Sequence, residues 1–291
     1  MQAFHSFWSK PNRLKNNGII EIPDYELLVL MLSALKWKST NGKIKMITDS
    51  EGYTFFEENG LLKLWNQIDC SLDKIEENVD PFLFWAAGKL YALKAMDVPC
   101  VMLDTDMIIW ENIESKLDEK VVAAHCEELS DLVYPNPSIF NLKSEYQFPK
   151  EWDFRLNAAN TAFLYLPNSE FIQYYVHSAL EFINSTNLMN VNPVVSMCFA
   201  EQRILPMCVK AKGLELDYLL DYKNLDNQNF VTHLWGYKGI LASSYKESEV
   251  FCIKCVKRII EEFPELREVI LYNKKLRKYL IKYEVDKNNI L

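Results

Sequence analysis

The stretch that most constrains the fold is VPCVMLDTDMIIW, residues 98–110, where Asp104 and Asp106 interrupt an otherwise apolar run. A fully buried strand reads as a continuous apolar segment. Ionised carboxylates almost never lie inside one unless they are paired or bind a metal. The strand is therefore expected to end near Leu103, with both carboxylates at its carboxyl edge, the edge where open α/β sheets bind ligands. Residues i and i+2 at a strand end project to the same side. The pair then forms a hard, doubly negative oxygen site suited to Mg2+ or Mn2+. Such an ion keeps positions open for phosphate oxygens and, as a Lewis acid, neutralises charge on a departing diphosphate. A D-x-D pair also occurs as a turn cap followed by the start of a helix. The apolar residues on both sides leave that alternative little support here.

Strand-like and helix-like segments alternate along the chain, which favours an α/β fold. MQAFHSFW reads as a first strand and DYELLVLMLSALKWKST as a helix with Asp24 placed as its N-cap. KIKMITD is a second strand, and SEGYTFFEENG a short helix closed by Gly60. DPFLFWAAGKLYALKAMD reads as a longer helix leading through Pro99 into the aspartate-bearing strand, and KVVAAHC as the strand that follows. Residues 130–152 hold Pro135, Pro137, Asn141 and Pro149, the make-up of a long loop of the lid or binding kind. NAANTAFLYLP is a further strand, NSEFIQYYVHSALEFINS a helix, and PVVSMCFAEQRILPMC a second helix ending near Pro206. FVTHLWGYKG is a short strand and loop, and from Lys246 the chain is helical with a break near Pro264.

A net charge of −8 argues against a general nucleic-acid binder, which needs a basic stripe. The start, MQAFHSFWSKPNRLKN, lacks the basic lead and apolar centre of a signal peptide. The most apolar stretch, YELLVLMLSALKW, is too short to span a bilayer and contains Glu26. Seven scattered cysteines, an odd number, fit reduced thiols and a cytoplasmic location. Cys252 and Cys255 form one CxxC on an amphipathic segment, with no second CxxC, and read as structural. The basic segment NKKLRKYLIKY, with Lys274, Lys275, Arg277, Lys278 and Lys282, is either a solvated helix face or a peripheral membrane contact.

VPCVMLDTDMIIW resembles the D-x-D segment of nucleotide-sugar glycosyltransferases of the GT-A fold. Further motifs are similar, in order, to glycosyltransferase family eight, which includes bacterial lipopolysaccharide galactosyltransferases and glycogenin. FWAAGKLYALKAMDVPCVMLDTD has that family's basic helix before the D-x-D strand, with Lys89 where the family usually has Arg. NAANTAFLYL is similar to its N-[AST]-G strand, with Asn160 and Thr161 in place and Ala162 for the glycine. FAEQRIL is similar to its D-Q-D helix, with Glu201 for the first Asp, Gln202 matching and Arg203 for the last Asp. THLWGYKG resembles its H-x-x-G-x-x-K, with His233 and Gly236 matching and Lys238 one residue early. AFHSFWSKP does not match the family's amino-terminal nucleotide loop, which points to a divergent GT-A chain.

The resemblance implies a mixed, mainly parallel sheet flanked by helices. Residues 1–240 would form the GT-A-like catalytic domain, and residues 241–291 a helical extension packed on it. It implies metal-dependent transfer of a hexose from a nucleoside diphosphate donor, UDP foremost, to a saccharide or lipid-linked acceptor hydroxyl. Retention of configuration and a role in bacterial surface polysaccharide synthesis follow from it by analogy. In that scheme His233 joins Asp104 and Asp106 as the third ligand of Mn2+ or Mg2+. Lys238 and Lys89 meet donor phosphates, or Lys89 pairs with a nearby carboxylate. Asn160 contacts the sugar and Gly236 lines the donor site. Glu201 and Gln202 orient sugar hydroxyls, or Glu201 acts as a general base if the enzyme inverts. Asp49 either caps the helix after the second strand or contacts the nucleotide. His5, His125 and His177 read as structural. Two rivals stand beside this reading. One is a phosphohydrolase of the haloacid dehalogenase type, which also carries D-x-D at a strand end. The other is a non-catalytic sugar-binding protein that keeps the fold.

Overall fold

The strand that opens at Cys100 ends at Leu103, so Asp104 and Asp106 stand just past its carboxyl end. The computed structural model describes residues 1–187, 192–223 and 229–288. Its strands are β1 (Gln2–Phe7), β2 (Lys43–Thr48), β3 (Gln67–Asp69), β4 (Cys100–Leu103), β5 (Met107–Ile109), β6 (Val121–Glu127), β7 (Ala158–Leu166), β8 (Leu216–Tyr218) and β9 (Val231–His233). Its α-helices are α1 (Ser9–Lys15), α2 (Asp24–Thr40), α3 (Ser50–Glu58), α4 (Ala87–Leu93), α5 (Ser169–Ser185), α6 (Pro193–Cys198), α7 (Ile204–Ala211), α8 (Lys238–Ser243), α9 (Tyr245–Glu262), α10 (Arg267–Tyr272) and α11 (Arg277–Asn288).

Seven strands form one sheet in the order β3-β2-β1-β4-β7-β6-β8. β3, β2, β1 and β4 run parallel, β7 runs against both β4 and β6, and β8 is parallel to β6. This is an α/β fold, as the alternation of elements leads one to expect, and its sheet is mixed and mainly parallel with flanking helices, as the resemblance implies. β7 is buried along its whole length because both faces of the sheet are covered.

Every residue of α2 from Leu27 to Leu35 is buried. A helix that is apolar all round belongs in a core, and α2 is held between β5, β2 and α9. Cys252, Cys255, Val256 and Ile259 of α9 share its apolar cluster, as do Leu276 and Leu280 near the C-terminus. The CxxC therefore faces inward, and burial pushes the Cys252 thiol up to about 11. Three basic residues of the NKKLRKYLIKY segment also turn toward the protein. Lys278 lies 2.9 Å from the Asp24 carboxylate, Lys282 pairs with Glu249, and Lys275 donates to the Ile22 carbonyl. No helix among the described residues is long and apolar enough to cross a membrane.

The structure departs from the sequence reading at three helices. Pro23, not Asp24, is the N-cap of α2, and the Asp24 carboxylate instead accepts from the Tyr279 hydroxyl at 2.8 Å. The helix expected over residues 80–97 is confined to α4. Asp80 accepts from the amides of Phe82 and Leu83 and turns the chain before Ala87. The helix expected to stop near Pro206 runs on to Ala211. It widens over Phe199–Arg203 into a π turn, in which the Ile204 amide bonds the Phe199 carbonyl. Pro206 has no N–H for the Glu201 carbonyl five residues back, and the Tyr175 hydroxyl donates to that carbonyl at 2.7 Å instead. The proline-rich segment 130–152 is pinned to the protein by aromatic packing of Phe140 and Phe148 on Phe182 and Phe199.

β5 is apolar because it runs beneath α2. Ser33 of α2 donates to the Met107 carbonyl at 2.5 Å and takes a hydrogen bond from His5 Nε2 at 3.0 Å. The other ring nitrogen, His5 Nδ1, accepts from Trp65 Nε1 at 3.2 Å. This chain of donors fixes His5 as the neutral Nε2–H tautomer, since a proton on Nδ1 would face the indole N–H. Burial lowers its pKa to about 3, although Asp106 pulls the other way. The unfolded chain protonates His5 near 6.5, so His5 stabilises the fold fully above that pH. The contribution drains away as pH falls toward 3, by about 1.4 kcal/mol per pH unit. In urea titrations at stepped pH, the stability advantage of the wild type over His5→Gln should shrink on acidification with that slope. A constant difference from pH 7 to pH 4 would contradict the assignment.

Candidate functional site

Residues from three distant segments meet at the carboxyl end of β4. The turn from β4 into β5 is held by backbone bonds: the Asp104 amide donates to the Ala162 carbonyl at 2.7 Å, and the Leu234 amide to the Asp106 carbonyl at 3.0 Å. β5 pairs antiparallel with β9, placing Met107 opposite His233. One ligand atom each from Asp104, Asp106 and His233 lies within 4.8 Å of the others. His233 Nε2 is 3.7 Å from Asp106 Oδ1. Burial lowers the His233 pKa to about 4, against the pull of Asp106, so the imidazole is neutral at pH 7 and offers a lone pair. Two hard carboxylates and a neutral imidazole fit a divalent ion such as Mg2+ or Mn2+.

Two lysines face these acids. Lys89 Nζ is 2.6 Å from Asp104 Oδ1 and 2.9 Å from Glu201 Oε1. Lys238 Nζ is 2.8 Å from Asp106 Oδ2 and 3.9 Å from Glu26 Oε1. Four carboxylates against two ammonium groups leave two negative charges in excess, the charge of one divalent cation. Burial raises the pKa values of both Asp104 and Glu26 despite their lysine partners. Burial alone would raise Asp106 as well, but Lys238 and His233 hold it below the usual carboxylate range. Lys89 resists its own desolvation because Asp104 and Glu201 push its pKa up.

Glu201 sits on the inner side of the π turn and is only 2% exposed. Its Oε1 accepts from both Thr161 Oγ1, at 2.5 Å, and Lys89. Lys89 reaches this position because Gly88 lets α4 close on the end of β1. A Cβ at Gly88 would lie 2.8 Å from Trp8 Cβ. Thr161 is brought in by an irregular register, in which Ala123–His125 of β6 spans Leu164–Asn160 of β7. β7 thus carries two residues more than β6 over this stretch, as in a β-bulge. Asn160 staples the irregularity: its Oδ1 accepts from the Ala162 amide at 3.0 Å and its Nδ2 donates to Glu127 Oε1 at 3.1 Å. The Ala162 methyl belongs to the core around α2.

The remaining residues singled out in the sequence lie farther out or do structural work. Gln202 accepts from the Tyr134 hydroxyl at 2.5 Å and so anchors the 130–152 segment. Arg203 bonds the Leu156 and Phe154 carbonyls. Asp49 caps α3 at the Gly52 amide and accepts from both the amide and the hydroxyl of Ser9. Gly236 is exposed, with open space where a Cβ would be. Sequence reasoning missed Glu26, hidden in the apolar run of α2, and Glu127, whose relevance depends on the β6–β7 register. Two surface clefts, of about 460 and 480 Å3, are lined by residues such as Pro206 and Tyr218, and Val176 and Leu180; no member of the acidic cluster lines either.

The DUF6734 family, described as a family of unknown function, matches residues 1–272. No curated protein matches the sequence. Among solved structures the chain is similar to an active-site mutant of LgtC, at 10% identity and TM-score 0.37, over 75% of this chain and 72% of that one. It is similar to mouse xyloside xylosyltransferase 1 at 11% identity and TM-score 0.37, over 79% of this chain and 91% of that one. It is also similar to the CTP:phosphocholine cytidylyltransferase LicC of Streptococcus pneumoniae, at 10% identity and TM-score 0.37, over 82% and 96% of the two chains. Likeness at this level says nothing about activity.

Replacing Lys89 removes the cation from two buried acids. Lys89→Met is expected to destabilise the metal-free protein by about 3–5 kcal/mol, whereas Glu201→Gln, which keeps an acceptor for Thr161 and Lys89, should cost on the order of 1 kcal/mol. Without Lys89 the folded-state pKa of Asp104, already raised by burial, rises further above its unfolded value. Acids raised in the folded state destabilise it at high pH, so the Lys89→Met deficit should narrow as pH falls toward about 6, where Asp104 of the wild type protonates as well, and level off below that. Urea midpoints at pH 7.5 and pH 5 check this; a deficit that widens on acidification would refute it.

Proposed function

The chain belongs to the DUF6734 family, and we propose that it is a metal-dependent transferase using a nucleotide-sugar donor, UDP-linked in the first instance. The observation that carries this reading is the convergence of Asp104, Asp106 and His233 at a sheet edge, with Lys89 and Lys238 beside them. Asp104, Asp106 and His233 would hold Mn2+ or Mg2+, which when bound supplies positive charge against a diphosphate leaving group. Lys238 has one flank on Asp106 and its side chain is 38% exposed, so it can turn its ammonium toward a donor phosphate. Lys89 is more deeply set and holds Asp104 in place. Glu201 and Thr161 in turn hold Lys89, which makes them positioning residues in this scheme. Asn160 keeps the β7 irregularity that forms the floor beside the acids. A buried Glu201 shared between two donors is poorly placed to take a proton from an acceptor. That supports the retaining course over one that needs a carboxylate base.

The test is thermal unfolding of the intact chain with UDP or UDP-sugars, with and without Mn2+. At a hundred times Kd, ligand binding adds about 2.7 kcal/mol, a shift of several degrees. The shift is expected only when metal and nucleotide are both present. Asp106→Asn and His233→Ala should each abolish the metal-dependent part while the unliganded protein still unfolds cooperatively. A nucleotide shift that ignores Mn2+, or that survives Asp106→Asn unchanged, would sink the assigned centre.

A further inference from the structure

The metal centre has a second margin, made of aromatic rings. Trp235 follows His233 by two residues, and its ring lies 16° from the imidazole plane with centroids 6.4 Å apart. It is 54% exposed. Tyr222, a few residues beyond β8, is 45% exposed. The buried His125 ring lies between them, with centroids 5.4 Å from Tyr222 and 6.3 Å from Trp235. Large aromatic side chains gathered at an open surface mark a binding site more often than chance. Polar groups stand at the margin. Glu127 Oε1 is 3.7 Å from His125 Nδ1 and already accepts from Asn160, while a carboxylate has lone pairs for several more donors.

Flat aromatic faces bordered by a few fixed polar groups suit a ligand with one apolar face and a polar rim. A pyranose ring is such a ligand, with C–H bonds on its face and hydroxyls around its edge. A nucleobase also stacks, but the topology places it elsewhere. β1 to β4 form the parallel half of the sheet, where nucleotides bind outside the carboxyl ends of the strands. His125 and Tyr222 come from β6 and from the chain just after β8, on the opposite side of β4. A donor nucleotide over the β1 half leaves the aromatic margin to the other reactant.

We propose that the exposed rings of Trp235 and Tyr222, backed by the buried His125, form a stacking platform for a pyranose ring of a saccharide acceptor, with Glu127 accepting hydrogen bonds from its hydroxyls. The proposal rests on the transferase reading above and names its acceptor class.

Saturation-transfer NMR on the intact chain tests it, with the methyl glycosides of glucose, galactose, mannose and N-acetylglucosamine as probes. At least one should receive saturation, strongest at ring C–H protons. Its Kd should rise roughly threefold to tenfold in Tyr222→Ala, the range for loss of one aromatic stack, and at least as much in Trp235→Ala, with Trp235→Phe restoring most of the loss. Circular dichroism melts of each variant confirm that the fold is intact. If no probe binds, or if both alanine variants bind as well as the wild type, the platform is wrong. If Tyr222→Ala weakens UDP and spares the glycoside, the platform serves the nucleobase and the proposal falls. Metal-dependent UDP stabilisation without any glycoside signal removes the platform alone. Glycoside binding that depends on Tyr222 and Trp235, without UDP stabilisation, removes the transferase reading and keeps the platform.

Discussion

The desolvation of Asp104 is the constraint around which the site is organised. A carboxylate at the end of an apolar strand loses most of its hydration, and burial raises its pKa despite an ammonium 2.6 Å away. Lys89 supplies that ammonium, but a lysine beneath a sheet edge needs compensation of its own, which Glu201 gives. Glu201 in turn is fixed by Thr161. The result is a buried chain of alternating charges in which each member tolerates burial because of its neighbours. Such chains carry little net stability but make the removal of any one member costly. Across Asp104, Asp106, Glu201 and Glu26 the two lysines leave an excess of negative charge, which suits the cluster to a cation.

Several irregularities of the fold serve this chain of charges. The π turn at Phe199–Arg203 directs Glu201 inward and lets the helix pass through Pro206. The uneven β6–β7 register brings Thr161 beneath the acids. The absence of a side chain at Gly88 lets α4 approach β1 closely enough for Lys89 to reach. Below them, the Trp65–His5–Ser33 relay ends on the Met107 carbonyl, one residue from Asp106. The aspartate turn is therefore supported from the core as well as from its flanks. Departures from regular geometry at these points agree with the view that functional sites are where local rules are broken.

Local pattern made much of this legible. The end of β4 at Leu103, the strands β1, β2, β6 and β7, and the helices α2, α3, α5 and α9 follow from apolar periodicity, turn residues and caps. Helix ends were less legible where side chains compete for the backbone, as Asp80 does before α4. Pro206 read as a stop because the hydroxyl that replaces its missing N–H comes from Tyr175, on a different helix. Asp24 read as a cap because its partners, Lys278 and Tyr279, lie at the other end of the chain.

What the sequence by itself determined is the presence of two acids at the end of a buried strand, since no apolar strand can absorb two charges. Its motif resemblance also marked Lys89, His233 and Lys238 as residues able to answer them. Which of these meet was decided only by the tertiary structure. The β5–β9 pairing sets His233 against Asp106, the closure of α4 on β1 sets Lys89 against Asp104, and the register of β7 sets Thr161 against Glu201. Electrostatic interaction in a low-dielectric interior depends on distance and exposure. Neither is a property of a residue's position along the chain.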